Sequence, residues 1–90
     1  MNRNTKNHEP EFREMWERGE IDNLLKKSRK YLEQYPNNTN ALYFRSKALI
    51  SQRKNISEAK KYVERLIKNE PNLANELQLI LEEIEKIESS

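Results

Sequence analysis

The same pattern of residues occurs twice in this chain, thirty-five positions apart. The first copy runs from Ile21 to Asn37 and the second from Ile56 to Asn72. In each copy, an apolar residue and a residue that can cap a helix precede about three turns of amphipathic helix, and Pro-Asn follows. Repeats of roughly 30–45 residues are typical of stacked helix pairs, because one pair cannot bury its apolar face alone. The duplication therefore predicts a helical chain that presents a surface to a partner.

Composition narrows the class of protein further. Ninety residues make one domain, in which about two thirds of the unfolded chain's surface is buried on folding. Hydrophobic residues make up only 34% of the chain, but their periodic placement argues against disorder. The chain has no cysteine, which excludes disulfides and thiolate zinc sites. No apolar run approaches the roughly 20 residues needed to cross a membrane, and no secretory signal is recognisable. We therefore expect a soluble, cytoplasmic protein.

The net charge of +2 conceals an uneven distribution of charge along the chain. Residues 9–22 carry a net charge of −4, residues 23–68 carry +9, and residues 69–90 carry −5. A basic middle between acidic ends is a feature that a binding function can use.

Five helices are predicted from the helical spacing of the apolar residues. Their predicted bounds are Pro10–Arg18, Asn23–Tyr35, Asn40–Gln52, Glu58–Asn69 and Leu73–Glu88. Gly19 is expected to end the first helix in a left-handed conformation. Asp22, Thr39 and Ser57 are expected to cap the second, third and fourth helices. The two Pro-Asn pairs end the second and fourth helices, because proline pushes the preceding residue out of helical dihedrals.

These elements divide the chain into a short arm and one helical domain. Residues 1–8 are polar and without periodicity, which predicts a disordered arm. The domain then covers residues 9–88, with one helix pair in 9–36, a second in 40–71 and a closing helix in 73–88. The predicted fold class is all-α, with two stacked antiparallel helix-turn-helix pairs and a C-terminal capping helix.

The second unit carries a recognisable set of core residues. They are Leu42, Ser46, Leu49, Ile56, Ala59, Val63, Leu66 and Pro71. Their order and sizes resemble the tetratricopeptide repeat (TPR), a helix-turn-helix unit, with one extra residue in 53–55. The first unit keeps Gly19, Ile21 and Pro36, but Phe12 stands where the family has a small residue. An unrelated five-helix bundle with proline-terminated helices is the alternative.

The resemblance implies where a partner would bind. In TPR arrays the first helix of each pair lines a concave groove, and by position that face here carries Arg13, Trp16, Tyr43, Lys47 and Ile50, with Glu17, Asn40 and Ser51 beside them. Large aromatic anchors flanked by cations are typical of peptide-binding grooves. The implied partner is a protein segment with acidic and apolar character. Alternatively, Trp16 and Tyr43 simply complete a thin core.

A second candidate surface lies on the other helices of the pairs. The repeat places four cations in a two-by-two arrangement, which we call the convex ladder: Lys26, Lys30, Lys61 and Arg65. Spaced positive charges can meet phosphates, so a nucleic-acid-associated or regulatory protein is one alternative function. No aromatic platform or nucleic-acid motif accompanies the ladder, and an ordinary solvated face is the simpler explanation for it.

Nothing in the sequence predicts a catalytic, cofactor or metal site. His8, the single histidine, lies in the polar arm, where a general base would have neither a pocket nor a fixed geometry. No phosphate-binding loop or nucleophile motif is present, and we expect no cofactor and no metal. The sequence thus predicts a non-enzymatic interaction module, a small adaptor or scaffold, with a self-associating structural subunit, such as a homodimer, as a further alternative.

Overall fold

The computed structural model describes residues 9–89, and these residues form helices joined by short turns. In chain order the helices are α1 (Phe12–Glu17), α2 (Ile21–Gln34), α3 (Thr39–Gln52), α4 (Ile56–Asn69), a 3-10 turn (Pro71–Leu73) and α5 (Ala74–Glu88). The predicted all-α class is confirmed. The predicted arm, including His8, lies outside the described residues.

The helices pack in sequence order around α3. Each helix packs against the next one in the chain, and α1 also contacts α3. The first pair is therefore α1 with α2, the second is α3 with α4, and α5 closes the end beside α4. Central position explains the burial of α3: from Ala41 to Ile50 every residue is buried except Tyr43 and Lys47, which are half-buried.

The helices α2 and α4 repeat each other closely. Each has 14 residues, and both their first and their last residues are thirty-five positions apart. The same offset relates their buried positions, because Leu24 and Ser28 in α2 correspond to Ala59 and Val63 in α4. The duplicated sequence pattern therefore corresponds to a duplicated helix length and a duplicated buried face.

The conformation that ends α1 is as predicted, whereas the residue that caps α3 is not. Gly19 has a φ of +75°, the left-handed conformation expected after α1. The expected cap of α3 was Thr39, but the side chain of Asn38 accepts the hydrogen bond from the Ala41 amide, at 2.9 Å. Asn38 has the extended backbone that a capping residue requires, with ψ at 123°, whereas Thr39 is already helical.

The other predicted caps were wrong as well. Asp22 and Ser57 lie inside α2 and α4, each of which begins one residue earlier than its predicted cap and has no side-chain capping bond. α5 begins at Ala74 rather than at Leu73, because a 3-10 turn precedes it. α1 starts at Phe12 rather than at Pro10.

The core consists of two clusters that meet at α3. One joins α3, α4 and α5 and contains Leu42, Leu49, Ile50, Ala59, Val63, Leu66, Leu77 and Ile84. The other joins α1, α2 and α3 and contains Phe12, Leu24, Ala41, Phe44 and Ala48. Tyr43 packs against both clusters. Each large apolar side chain that is fully buried stabilises the fold by roughly 1.5–3 kcal/mol.

A partly buried polar network crosses α2, α3 and α4. The Arg45 guanidinium donates to the carbonyl of Leu25 at 2.6 Å and to the carboxylate of Glu58 at 3.4 Å. The Tyr62 hydroxyl donates to the same carboxylate. Burial raises the pKa of Tyr62, and its hydrogen bond to Glu58 raises it further. These bonds hold the Arg45 guanidinium in place between the three helices.

Candidate functional site

One face of the domain carries three adjoining clefts. The first, of about 390 Å³, lies at the start of α1 and is lined by Glu9, Pro10, Glu11, Phe12, Arg13, Glu14, Asn40 and Phe44. The second, of about 470 Å³, is lined by Arg13, Trp16, Glu17, Thr39, Asn40, Tyr43, Phe44, Lys47, Leu66, Leu73 and Glu76. The third, of about 260 Å³, is lined by Trp16, Lys47, Ile50, Ser51, Ile80 and Glu83.

Neighbouring clefts share residues, so they form one continuous depression. The first and second share Arg13, Asn40 and Phe44, and the second and third share Trp16 and Lys47. We call this depression the α3 groove, since α3 lines all three clefts while α1 and α5 border it. All five residues predicted for the inner face line it.

Two cations of the groove lie on aromatic rings. The Lys47 ammonium is 4.9 Å from the centre of the Trp16 ring and 5.4 Å from the centre of the Tyr43 ring. The Arg13 guanidinium carbon is 5.6 Å from the centre of the Phe44 ring. Such contacts attract a cation to the negative face of the ring. The predicted aromatic residues and cations therefore lie together in the groove. They do so because each cation packs against an aromatic ring.

The alternative interpretation of the aromatic residues, as core, also has structural support. Trp16 and Tyr43 are half-buried, and each packs against a core cluster. The Tyr43 ring meets the Phe44 ring edge-on, with centroids 5.0 Å apart. One side of each aromatic residue thus completes the core while the other side lines the groove.

Ile50 departs from the prediction. It was expected on the groove face, yet it is only 7% exposed and belongs to the core cluster that includes Leu77 and Ile84 of α5. This cluster is formed with residues of α4 and α5, which helical periodicity within α3 could not indicate. Only a small edge of Ile50 reaches the third cleft.

Sequence reasoning placed Glu17 on the groove face but did not assign the other carboxylates of the groove to a site. Glu76 and Glu83 project from α5 into the second and third clefts, and Glu17 lines the second from α1. All three are exposed. The spacing of seven residues between Glu76 and Glu83 puts them on one face of α5. This spacing is visible in the sequence, but the position at which α5 packs against the other helices is not.

Further carboxylates surround the first cleft. Glu9 accepts hydrogen bonds from the side-chain amides of Asn38, at 2.8 Å, and Asn40, at 2.9 Å. The pKa of Glu11 is raised, first by its hydrogen bond to Glu14 and then by the negative charge of that neighbour. This end of the groove is therefore crowded with negative charge.

All four residues of the convex ladder are exposed. Its four residues are Lys26, Lys30, Lys61 and Arg65. Lys30 lines a cleft with Pro10 and Tyr31 toward α1, while the Arg65 guanidinium donates to the carbonyl of Pro36 at 3.2 Å. Between α2 and α4 the cleft-lining residues are instead Arg29, Leu32, Glu33, Arg45, Asn55, Glu58 and Tyr62. This face thus mixes carboxylates with its cations.

Among residues 9–89 no cluster of three or more histidine or carboxylate side chains could hold a metal ion. None of the described helices has the length and apolar character to span a bilayer.

Comparison with known proteins found no family model, no curated protein and no solved structure that matches this chain.

Proposed function

We propose that this chain is a non-enzymatic interaction module whose α3 groove binds an amphipathic segment of a partner protein. The observation that carries the proposal is that Trp16 and Tyr43 are only partly buried and lie at the centre of a continuous groove. An apolar side chain of a partner would cover the exposed sides of these rings, which are already fixed by the core beneath them. Rigid aromatic residues of this kind supply most of the affinity in protein interfaces.

We further propose that the two helix pairs are TPR-like units with α5 as their cap. Support comes from the thirty-five-residue offset between α2 and α4 and from the complete burial of Ala59, at the position where the repeat pattern has a small residue. A short array of this kind suits a small adaptor or scaffold, acting in the cytoplasm.

The length of the groove limits what it can bind. Along α3 it extends from Asn40 to Ser51, twelve residues of helix whose ends lie about 16 Å apart. This distance matches about three turns of helix or about five residues of extended chain. A short segment of a partner therefore fills it, and a whole folded domain is not needed.

The single tryptophan of the chain allows a direct test. Trp16 lies in the groove, so a bound peptide should change its fluorescence emission saturably. Peptides selected from a random displayed library against the full chain serve as probes. Tyr43→Ala should weaken the selected peptides at least about tenfold, as expected for an anchoring aromatic residue.

Tyr35→Ala is the matched control, because Tyr35 is exposed and stacks on Tyr31, with ring centroids 4.6 Å apart and away from the groove lining. It should leave the affinity unchanged. Both variants are compared well below their melting temperatures, since Tyr43 also packs against the core. Selected peptides that leave Trp16 emission unchanged, or that bind Tyr43→Ala normally, would refute the proposed groove.

A further inference from the structure

The groove has the opposite charge from the middle of the sequence. Its three clefts are lined by two cations, Arg13 and Lys47, and by six carboxylates: Glu9, Glu11, Glu14, Glu17, Glu76 and Glu83. The lining therefore carries four more negative than positive charges. Of the twelve cations between residues 23 and 68, only Lys47 lines the groove.

The two kinds of charge also differ in what they contact. Both groove cations lie over aromatic rings. In contrast, the side-chain carboxylates of Glu17, Glu76 and Glu83 make no hydrogen bond and no ion pair with any residue between 9 and 89. The unsatisfied charge of the groove is negative, and it stands on both walls, α1 and α5, beside the aromatic pair.

We infer that the ligand of the α3 groove is a cationic amphipathic segment, in which lysine or arginine flanks an aromatic or branched apolar anchor. This inference rests on the proposed function and gives the charge of its partner. The anchor would cover Trp16 and Tyr43, and the flanking cations would meet Glu17 on one wall and Glu76 and Glu83 on the other.

Charge complementarity explains why such a segment is preferred over the acidic one predicted from the sequence. The acidic partner was expected from the excess of +9 over residues 23–68, but most of that charge lies outside the groove lining. An acidic segment entering the groove would face six carboxylates, and like charges across an interface suppress a wrong partner. Exposed ion pairs mainly raise the association rate and specificity, while the anchor supplies affinity.

The test is a selection from the same random peptide library, carried out on the full chain at low ionic strength. Enrichment of lysine and arginine beside aromatic or leucine residues is expected. Glu76→Gln with Glu83→Gln should weaken the selected peptides by about three- to tenfold, as two exposed ion pairs would. Glu82→Gln with Glu85→Gln is the matched control, with the same charge change on the same helix but outside the groove lining, and should change affinity less than about twofold.

The outcomes separate the inference from the proposal beneath it. Selected peptides rich in aspartate or glutamate that still quench or shift Trp16 emission overturn the cationic ligand and leave the groove function standing. Failure to select any peptide that perturbs Trp16 overturns both. A molecular mass that rises with protein concentration, together with a change in Trp16 emission without peptide, identifies a second copy of the chain as the occupant and also overturns the inference.

Discussion

The ammonium group of Lys47 lies 4.9 Å from the centre of the Trp16 ring, and this contact joins α3 to α1 in the middle of the groove. Because the Tyr43 ring is 5.4 Å from the same ammonium, one lysine lies over two aromatic faces. Lys47 is half-buried as a result. A ligand that stacks on these rings must displace the Lys47 ammonium or pack alongside it, so Lys47 helps to shape the site.

The packing of α5 can be tested with two leucines of that helix. Leu77 is 1% exposed and Leu79 is 66% exposed. Leu77→Ala should lower the free energy of unfolding by about 2–5 kcal/mol, because it removes a buried side chain and leaves a cavity. Leu79→Ala should change it by less than about 0.5 kcal/mol. Urea denaturation of both variants measures the difference, and equal effects would show that α5 does not pack as described.

Deleting α5 altogether tests the same packing. A chain that ends after Asn72 lacks all of the apolar residues that α5 contributes to the core, including Leu77 and Ile84. It should unfold or aggregate, which sedimentation and circular dichroism would detect. A truncated chain that stays monomeric and equally stable would mean that α5 is an independent arm.

The parts of the fold that follow from local sequence were predictable. The Pro-Asn pairs and the apolar spacing predicted α2 and α4 to within two residues at their ends, because helix termination by proline is a local effect. Capping was predicted less well. Asn38 and Thr39 are both good capping residues, and which one caps α3 depends on their backbone dihedrals, which composition does not fix.

Features that depend on distant residues were not predictable. Ile50 is buried in a core cluster that includes residues of α4 and α5, and Arg45 is anchored by the carbonyl of Leu25, which is twenty positions away. The same reason applies to the groove. Its aromatic residues were expected there from the resemblance to TPR arrays, whereas Glu76 and Glu83 became part of it only through the position of α5.

The close contact between α3 and α4 can also be tested by mutation. Ala59 is fully buried in the cluster that joins α3 and α4. Ala59→Leu should overpack this contact and lower the free energy of unfolding by about 1–3 kcal/mol. Lys26→Ala, at an exposed position of α2, should change it by less than about 0.5 kcal/mol. Thermal melts of the two variants measure this, and equal shifts would contradict the close approach at Ala59.

The buried network can be measured with a double-mutant cycle. The Arg45 side chain is 9% exposed and that of Glu58 is 35% exposed, so their ion pair is partly screened by water. Arg45→Met and Glu58→Gln, alone and together, should reveal a coupling free energy of about 1 kcal/mol or more. The pair of Lys60 and Glu88, at 38% and 41% exposure, is the control and should couple by less than about 0.5 kcal/mol. A coupling no larger than the control would mean that the buried pair does not stabilise the fold.

The raised pKa of Tyr62 predicts how stability depends on alkaline pH. The folded state favours the neutral phenol, because burial and the hydrogen bond to Glu58 both disfavour its anion. Its contribution is therefore complete below the unfolded-state pKa of about 10 and is lost as the pH rises through the higher folded-state pKa. Tyr62→Phe should flatten this alkaline loss of stability, leaving the part due to Tyr31, whose pKa is also raised, mainly by burial. An unchanged slope in urea melts of Tyr62→Phe would contradict the assignment.

The convex ladder distinguishes the groove function from the alternative of nucleic-acid binding. Lys26→Glu with Lys61→Glu changes the net charge from +2 to −2 without altering the groove lining. Cationic peptides selected on the groove should bind this variant slightly faster at low salt, because the long-range field becomes more negative. The difference should largely disappear at about 0.15 M salt, where charges more than about 8 Å apart are screened.

A nucleic-acid ligand would instead bind the unaltered chain with an affinity that falls steeply with salt, and the variant would not bind it. Titrating a labelled single-stranded oligonucleotide and a selected peptide against both chains decides between the two surfaces, and a charge-reversed variant that loses the peptide as well would refute the groove.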